Sequence, residues 1–287
     1  MSFFRVVFFL SLILLNLFAE SSVWKISDDQ NHTLYIGGTF HLLRATDFPL
    51  PHEFEDAYQR SDYVVFETDL SSTHSTTFQR MMAQTMILPL NQSLSSKLMP
   101  KTYQTLKQYV ELQGYPMGMF DRMQPWAVSL TLSQLKLSSI GVDQEGVDEY
   151  YHQHSMHDGL PQRFLESVEE QLKVIGAIGV GEEDAVILQT LKEMDELPSM
   201  MSWMVREWRE GKTDRLKREL VDAMKKESPK MYRIVLKQRN DAWMPKLLSM
   251  LHEEKRGFVL VGAMHLLGED GLLDQFRKRG LRVEYMK

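Results

Sequence analysis

The chain carries one short pattern twice, once near each end, and that repetition restricts the fold more than any other feature. The first copy is Thr33-Leu34-Tyr35-Ile36-Gly37-Gly38-Thr39-Phe40-His41-Leu42-Leu43; the second is Phe258-Val259-Leu260-Val261-Gly262-Ala263-Met264-His265-Leu266-Leu267. Each opens with an apolar run rich in β-branched and aromatic residues, which predicts a buried strand. A glycine breaks each run, and a histidine followed by Leu-Leu stands three residues later. Downstream of the first copy, 51–60 predicts an amphipathic helix and 61–69 a strand centred on Tyr63-Val64-Val65-Phe66. Downstream of the second, 272–279 predicts a helix, Gly280 its stop, and 281–285 a strand. The expected architecture is therefore α/β: two β-GxxH-α-β units sharing a central sheet, with right-handed crossovers if their strands run parallel.

Between the units, 71–254 reads as a large helical insertion packed over that sheet. Apolar residues recur at helical spacing over 76–88, 101–112, 126–137, 163–178, 182–195, 201–210, 212–226 and 231–254. Prolines such as Pro100, Pro125 and Pro198 fall where one helix gives way to the next. Pro245, inside the last stretch, predicts a break or kink after about Asp241. The methionines of the insertion read as filler between helices. His152, His154 and His157 read as a solvated surface rather than a metal site, because their neighbours are polar. No linker or low-complexity tract interrupts the chain, so 22–287 is expected to form a single domain.

Residues 1–21 predict a secretory signal peptide. Arg5 is its positive residue, 6–19 its apolar core, and Ala19-Glu20-Ser21 a small-x-small cleavage site. That core is shorter than the roughly 20 residues a membrane span needs. The expected location is extracytoplasmic, periplasmic or secreted, with membrane contact only through an uncleaved signal. The net charge of -6 argues against nucleic acid as a partner, since that binding is driven by basic patches. The chain has no cysteine, which removes disulfides, thiolate ligands and a Cys nucleophile.

A glycine at a strand's carboxyl end permits a sharp turn and close approach of a ligand, and ligands of open α/β sheets gather at those ends. His41 and His265 are thereby expected at one edge of one sheet. Neither lies in H-E-x-x-H, and the chain has no G-x-S-x-G, Walker A or Rossmann glycine pattern. Glu67 follows four apolar strand residues and returns to the same sheet edge; a glutamate there needs a reason. Two imidazoles and a carboxylate make a plausible catalytic metal set, in which an ion acidifies water and polarises a carbonyl. As strand-end polar groups, the three are expected to add little to core stability.

The sequence resembles the TraB/GumN family, which includes the Tiki proteases. The resemblance rests on Gly38-Thr39-Phe40-His41, Glu67 in Val-Val-Phe-Glu-Thr-Asp, Pro125-Trp126, Gly141-Val142-Asp143, Leu165-Glu166-Ser167 with Gln171, Arg239-Asn240, and Gly262-Ala263-Met264-His265. It implies a core of the erythromycin-esterase/ChaN-like kind and a metal-dependent hydrolase, a peptidase in the Tiki members. By the same resemblance His41, Glu67 and His265 are the catalytic and metal-binding set. Arg239 and Asn240 support them or orient substrate, and Asp143 and Glu166 match without an assigned role. The implied ion is divalent, manganese or cobalt, with zinc as the alternative; the implied partner is a peptide or protein substrate. The rival expectation is a non-catalytic protein that holds a metal, haem or small ligand in the same cleft. The oligomeric state is not legible.

Overall fold

The computed structural model describes residues 22–73 and 75–286; the signal-peptide expectation for 1–21 lies outside them. The strands are β1 (Val23–Ser27), β2 (Thr33–Thr39), β3 (Leu42–Leu43), β4 (Tyr63–Phe66), β5 (Gln144–Glu145), β6 (Gln162–Phe164), β7 (Gly257–Gly262) and β8 (Arg282–Tyr285). Six of them form a mixed sheet in the order β6-β4-β7-β2-β1-β8, and β3 pairs β5 in a second, two-stranded sheet. The class is mixed α/β, with many helices.

Within the large sheet β6, β4, β7 and β2 run parallel, while β1 runs antiparallel to both β2 and β8. The runs that carry the repeated pattern lie side by side: Tyr35 pairs Phe258 and Thr39 pairs Gly262. Their residues are almost wholly apolar and buried, as strands covered on both faces must be. The carboxyl ends of the four parallel strands lead directly to His41, Glu67, Glu166 and His265.

Gly37 and Gly38 serve close packing rather than unusual dihedrals. None of Gly37, Gly38 and Gly262 has a positive φ. A Cβ on Gly37 would sit 2.9 Å from the Phe54 ring, and one on Gly38 would sit 3.1 Å from the Ala263 Cα. Gly37 thus admits the helix His52–Gln59, and Gly38 admits the short turn Ala263–Leu266 that carries His265. The buried Trp208 indole donates to the Gly38 carbonyl at 2.6 Å and fixes the end of β2.

Three local expectations are corrected. The stretch 163–178 is not one helix: β6 comes first, and the helix Val168–Gly176 starts at a Ser167 capping box closed by Glu170. Its Ser-x-x-Glu signature stands in the sequence, but helical spacing of the apolar residues read through it. Pro245 does not break its helix, which runs Gln238–Leu251. An interior proline costs about 3 kcal/mol, whereas Trp243, Met244, Leu247 and Leu251 are all buried there at about 1.5–3 kcal/mol each. Finally, 212–226 and 231–254 are not uniform α-helices, because Lys217–Asp222 and Arg233–Lys237 are π-helical. Strand β1 carries no signal that the periodicity reading picked up; it is aligned by its pairing with β2.

Candidate functional site

His41, Glu67, Arg239, Gly262 and His265 line one cavity of about 260 Å³ at the carboxyl ends of the parallel strands. Glu67 directly follows β4 and is 7% exposed. Its Oε1 accepts the Gly262 backbone N–H at 2.8 Å, and its Oε2 accepts from Arg239 Nη2 at 2.5 Å. His265 is 4% exposed. Its Nδ1 lies 2.7 Å from Asn240 Oδ1. The Asn240 amide nitrogen already donates to the carbonyls of His265 and Asp270, so Oδ1 is the acceptor and Nδ1 carries the proton. His265 Nε2 is left as a lone pair, and Arg239 Nη1 donates to it at 2.9 Å.

Arg239 joins the two acids. Besides Glu67 it donates through Nε and Nη2 to Glu166 at 3.0 and 2.7 Å, and its guanidinium lies over the Trp243 ring at 4.5 Å. Glu166 reaches it from the end of β6, where its N–H bonds the Glu67 carbonyl at 2.8 Å. Two carboxylates on adjacent strand ends would repel at this burial; one forked cation between them offsets that.

His41 is held from elsewhere. Gly146 N–H donates to the His41 carbonyl and Val147 N–H to the Phe40 carbonyl, both at 3.0 Å. Gly146 is required there, since a Cβ would fall 1.9 Å from the Phe40 oxygen. This pairing, continued by β3 and β5, delivers Asp148. Its Oδ1 accepts from Thr39 Oγ1 at 2.8 Å, and its Oδ2 lies 2.9 Å from His41 Nδ1.

Protonation follows from these partners. Burial opposes the charged form of Glu67, yet Arg239, His265, His41 and the Gly262 N–H together hold it down at about 2. Burial pushes His265 down to about 3 against the pull of Glu67, so its imidazole is neutral at neutral pH. The Asp148 carboxylate raises His41 above its ordinary range. With 70% of that side chain exposed, water screens part of the attraction. Arg239 stays charged because Glu67 and Glu166 outweigh its desolvation.

One consequence is a stability profile. Both His265 and Glu67 have folded values below their ordinary ones, so the unfolded chain binds protons that the folded protein refuses. Their contribution is present above about pH 6.5 and is lost first through His265, between 6.5 and about 3, then through Glu67, between 4.5 and about 2. His41 and Glu166, whose folded values are raised, act in the opposite sense. Thermal melts in chelator are therefore expected to fall from pH 7 to pH 4 more steeply in the wild type than in His265→Ala, and equal slopes would contradict a neutral, buried His265.

The residues read from the sequence come together unequally. His41, Glu67, His265 and Arg239 share the cavity, and Asn240 orients His265. Asp143 is exposed and bonds only its neighbour Gln144 among the described residues. Glu166 and Asp148 are the members that sequence reasoning left without a role or missed. For Asp148 the only local signal was the alternation of Thr39 and His41, which puts two polar side chains on one face. The expectation of a solvated histidine surface fails for His152, which is 3% exposed and lies 3.0 Å from Gln162 Oε1. His154 stacks on Tyr150, with ring centres 4.2 Å apart.

The donor chemistry fits a divalent cation. Both imidazoles have Nδ1 engaged by a second residue, as metal-binding histidines do, which leaves Nε2 for a ligand beside an ionised carboxylate. The arrangement, however, has Arg239 on the His265 Nε2, and among the described residues no group of three His, Asp or Glu side chains converges enough to hold an ion. An ion on His265 Nε2 would have to displace Arg239, which Glu166 also holds.

A model of the TraB/PrgY/gumN family matches residues 22–285. The uncharacterized protein YbaP of Escherichia coli (strain K12) is 25% identical over 251 residues, 86% of this chain and 89% of the relative. The YbaP protein of Shigella flexneri matches with the same identity and coverage. Metalloprotease TIKI1 of Danio rerio is 22% identical over 327 residues, 93% of this chain and 63% of the relative. No solved structure matches the chain. Among the described residues no helix is long and apolar enough to cross a membrane.

Proposed function

The chain belongs to the TraB/PrgY/gumN family, and from that premise we propose that it is a metal-dependent hydrolase acting on peptide bonds outside the cytoplasm. His41, Glu67 and His265 form its catalytic and metal-binding set. The observation that carries this reading is the pair of oriented imidazoles beside an ionised Glu67 in one cavity. The similarity to Metalloprotease TIKI1 supports it. We read the two GxxH copies as two β-GxxH-α-β units of one sheet, a reading supported by the pairing of β2 on β7.

A divalent ion, manganese or cobalt with zinc as the alternative, would polarise the scissile carbonyl and acidify the attacking water. Glu67, charged throughout the physiological range, either takes the water's proton as general base or helps to hold the ion. Asp148 and Asn240 keep the two rings in their working orientation. Arg239, retained by Glu166 after it leaves His265, is placed to hold negative charge that develops on the substrate. The substrate is a peptide or protein rather than nucleic acid, in keeping with the net charge of -6. The apolar segment 1–21 would direct export.

The contact between Arg239 and His265 Nε2 favours one rival, a cleft that binds a ligand without turnover. Metal analysis of untagged protein, followed by peptide-library cleavage after chelation and manganese return, separates the two. A stoichiometric ion with manganese-restored cleavage is expected. A bound ligand or ion without cleavage would support the rival.

A further inference from the structure

Besides His41, Glu67 and Arg239 the cavity has an apolar wall: Met204, Leu220, Val235 and Met264, each partly buried, and the buried Leu216 and Leu236. Two of these walls come from the π-helical segments: Leu220 lies in Lys217–Asp222, while Val235 and Leu236 lie in Arg233–Lys237. π-turns are rare and cluster at functional sites. Neither segment contains proline or glycine, so no breaker residue accounts for them. Four large apolar side chains left partly in solvent beside a charged cluster cost hydration that a ligand would relieve.

We infer that this wall is a specificity pocket for one bulky apolar side chain of the peptide substrate, next to the bond that is cut; the inference rests on the hydrolase reading. Size selects the occupant. At about 260 Å³ the cavity lies below the ~300–1,000 Å³ of sites that enclose a whole drug-sized ligand, so it suits one side chain better than a large cofactor. Position selects the rest. A leucine- or methionine-like group seated against Leu220 and Val235 occupies the same cavity as Glu67, His265 and Arg239, so its own backbone carbonyl stays within that cavity. Charged side chains are disfavoured, because the charges in the pocket's described lining, Glu67, Arg239 and His41, are already paired with one another or with Asp148.

Leu220→Trp fills the pocket, and Val235→Phe is the smaller second variant should the first fail to fold, as melts would show. The wild type is expected to cut a peptide with leucine beside the scissile bond at least about 10-fold better in kcat/KM than its glycine counterpart. Either variant is expected to reduce that ratio toward unity. Binding of N-acetyl-leucinamide and N-acetyl-glycinamide, followed by NMR shift perturbation, gives a readout free of turnover. Leucinamide is expected to bind the wild type more tightly and to lose that advantage in the variants. Cleavage with no apolar preference, unaltered by both variants, overturns the pocket and leaves the hydrolase reading standing. Selective leucinamide binding without any cleavage keeps the pocket and sinks the hydrolase. Equal binding of the two amides with no cleavage overturns the pocket outright.

Discussion

Glu67→Gln is expected to abolish turnover, and His41→Ala and His265→Ala are expected to do the same. The three act as one unit in the proposed mechanism, so any double variant should be scarcely worse than a single. Glu67→Gln is the sharpest of them because it preserves shape and removes only the charge needed by a base or an anionic ligand. Its effect on stability is larger than its place at a strand end suggested. Glu67 is buried and bonds both the Gly262 N–H and Arg239. Breaking a buried pair from one side costs about 3–5 kcal/mol, here reduced because Glu166 still receives two N–H bonds from Arg239. Kinetics should therefore be measured well below the variant's melting temperature. Full turnover by Glu67→Gln on a verified substrate would remove the catalytic assignment, and the binding protein would become the better account.

Arg239→Met is expected to have the largest effect on stability. It leaves two buried carboxylates on adjacent strand ends with no cation between them. Removal of one partner from such a cluster costs about 3–5 kcal/mol, a fall in Tm on the order of 10 °C at roughly 2–4 °C per kcal/mol. The pH profile should also change sign. In the wild type Arg239 helps to hold Glu67 down, and acid destabilises. Without it the folded value of Glu67 rises above its unfolded one, and that of Glu166, already raised by burial, rises further. Stability then grows as pH falls through those raised values, because the folded protein now binds the extra proton. Manganese should stabilise Arg239→Met more than the wild type, since the cation that competes for His265 Nε2 and Glu67 is gone. Wild-type stability with an unchanged acid profile would refute the central position given to Arg239.

Features of this protein that depend on near neighbours are legible in its amino-acid order. Short continuous apolar runs located β2, β4 and β7, and the glycine three residues before each histidine placed His41 and His265 just beyond buried strands. Glu67 stood out because a carboxylate directly after four apolar strand residues needs a partner. What periodicity misjudged is equally physical. Apolar spacing cannot distinguish an α-turn from a π-turn, and it ran through the Ser167 capping box that separates β6 from the following helix. The partners come from folding at long range: Asp148 lies 107 residues from His41, and Arg239 lies 172 from Glu67. Pairings of that range are set by strand register, by close approach at Gly38 and Gly146, and by the balance of buried charge. No local window of sequence contains those quantities.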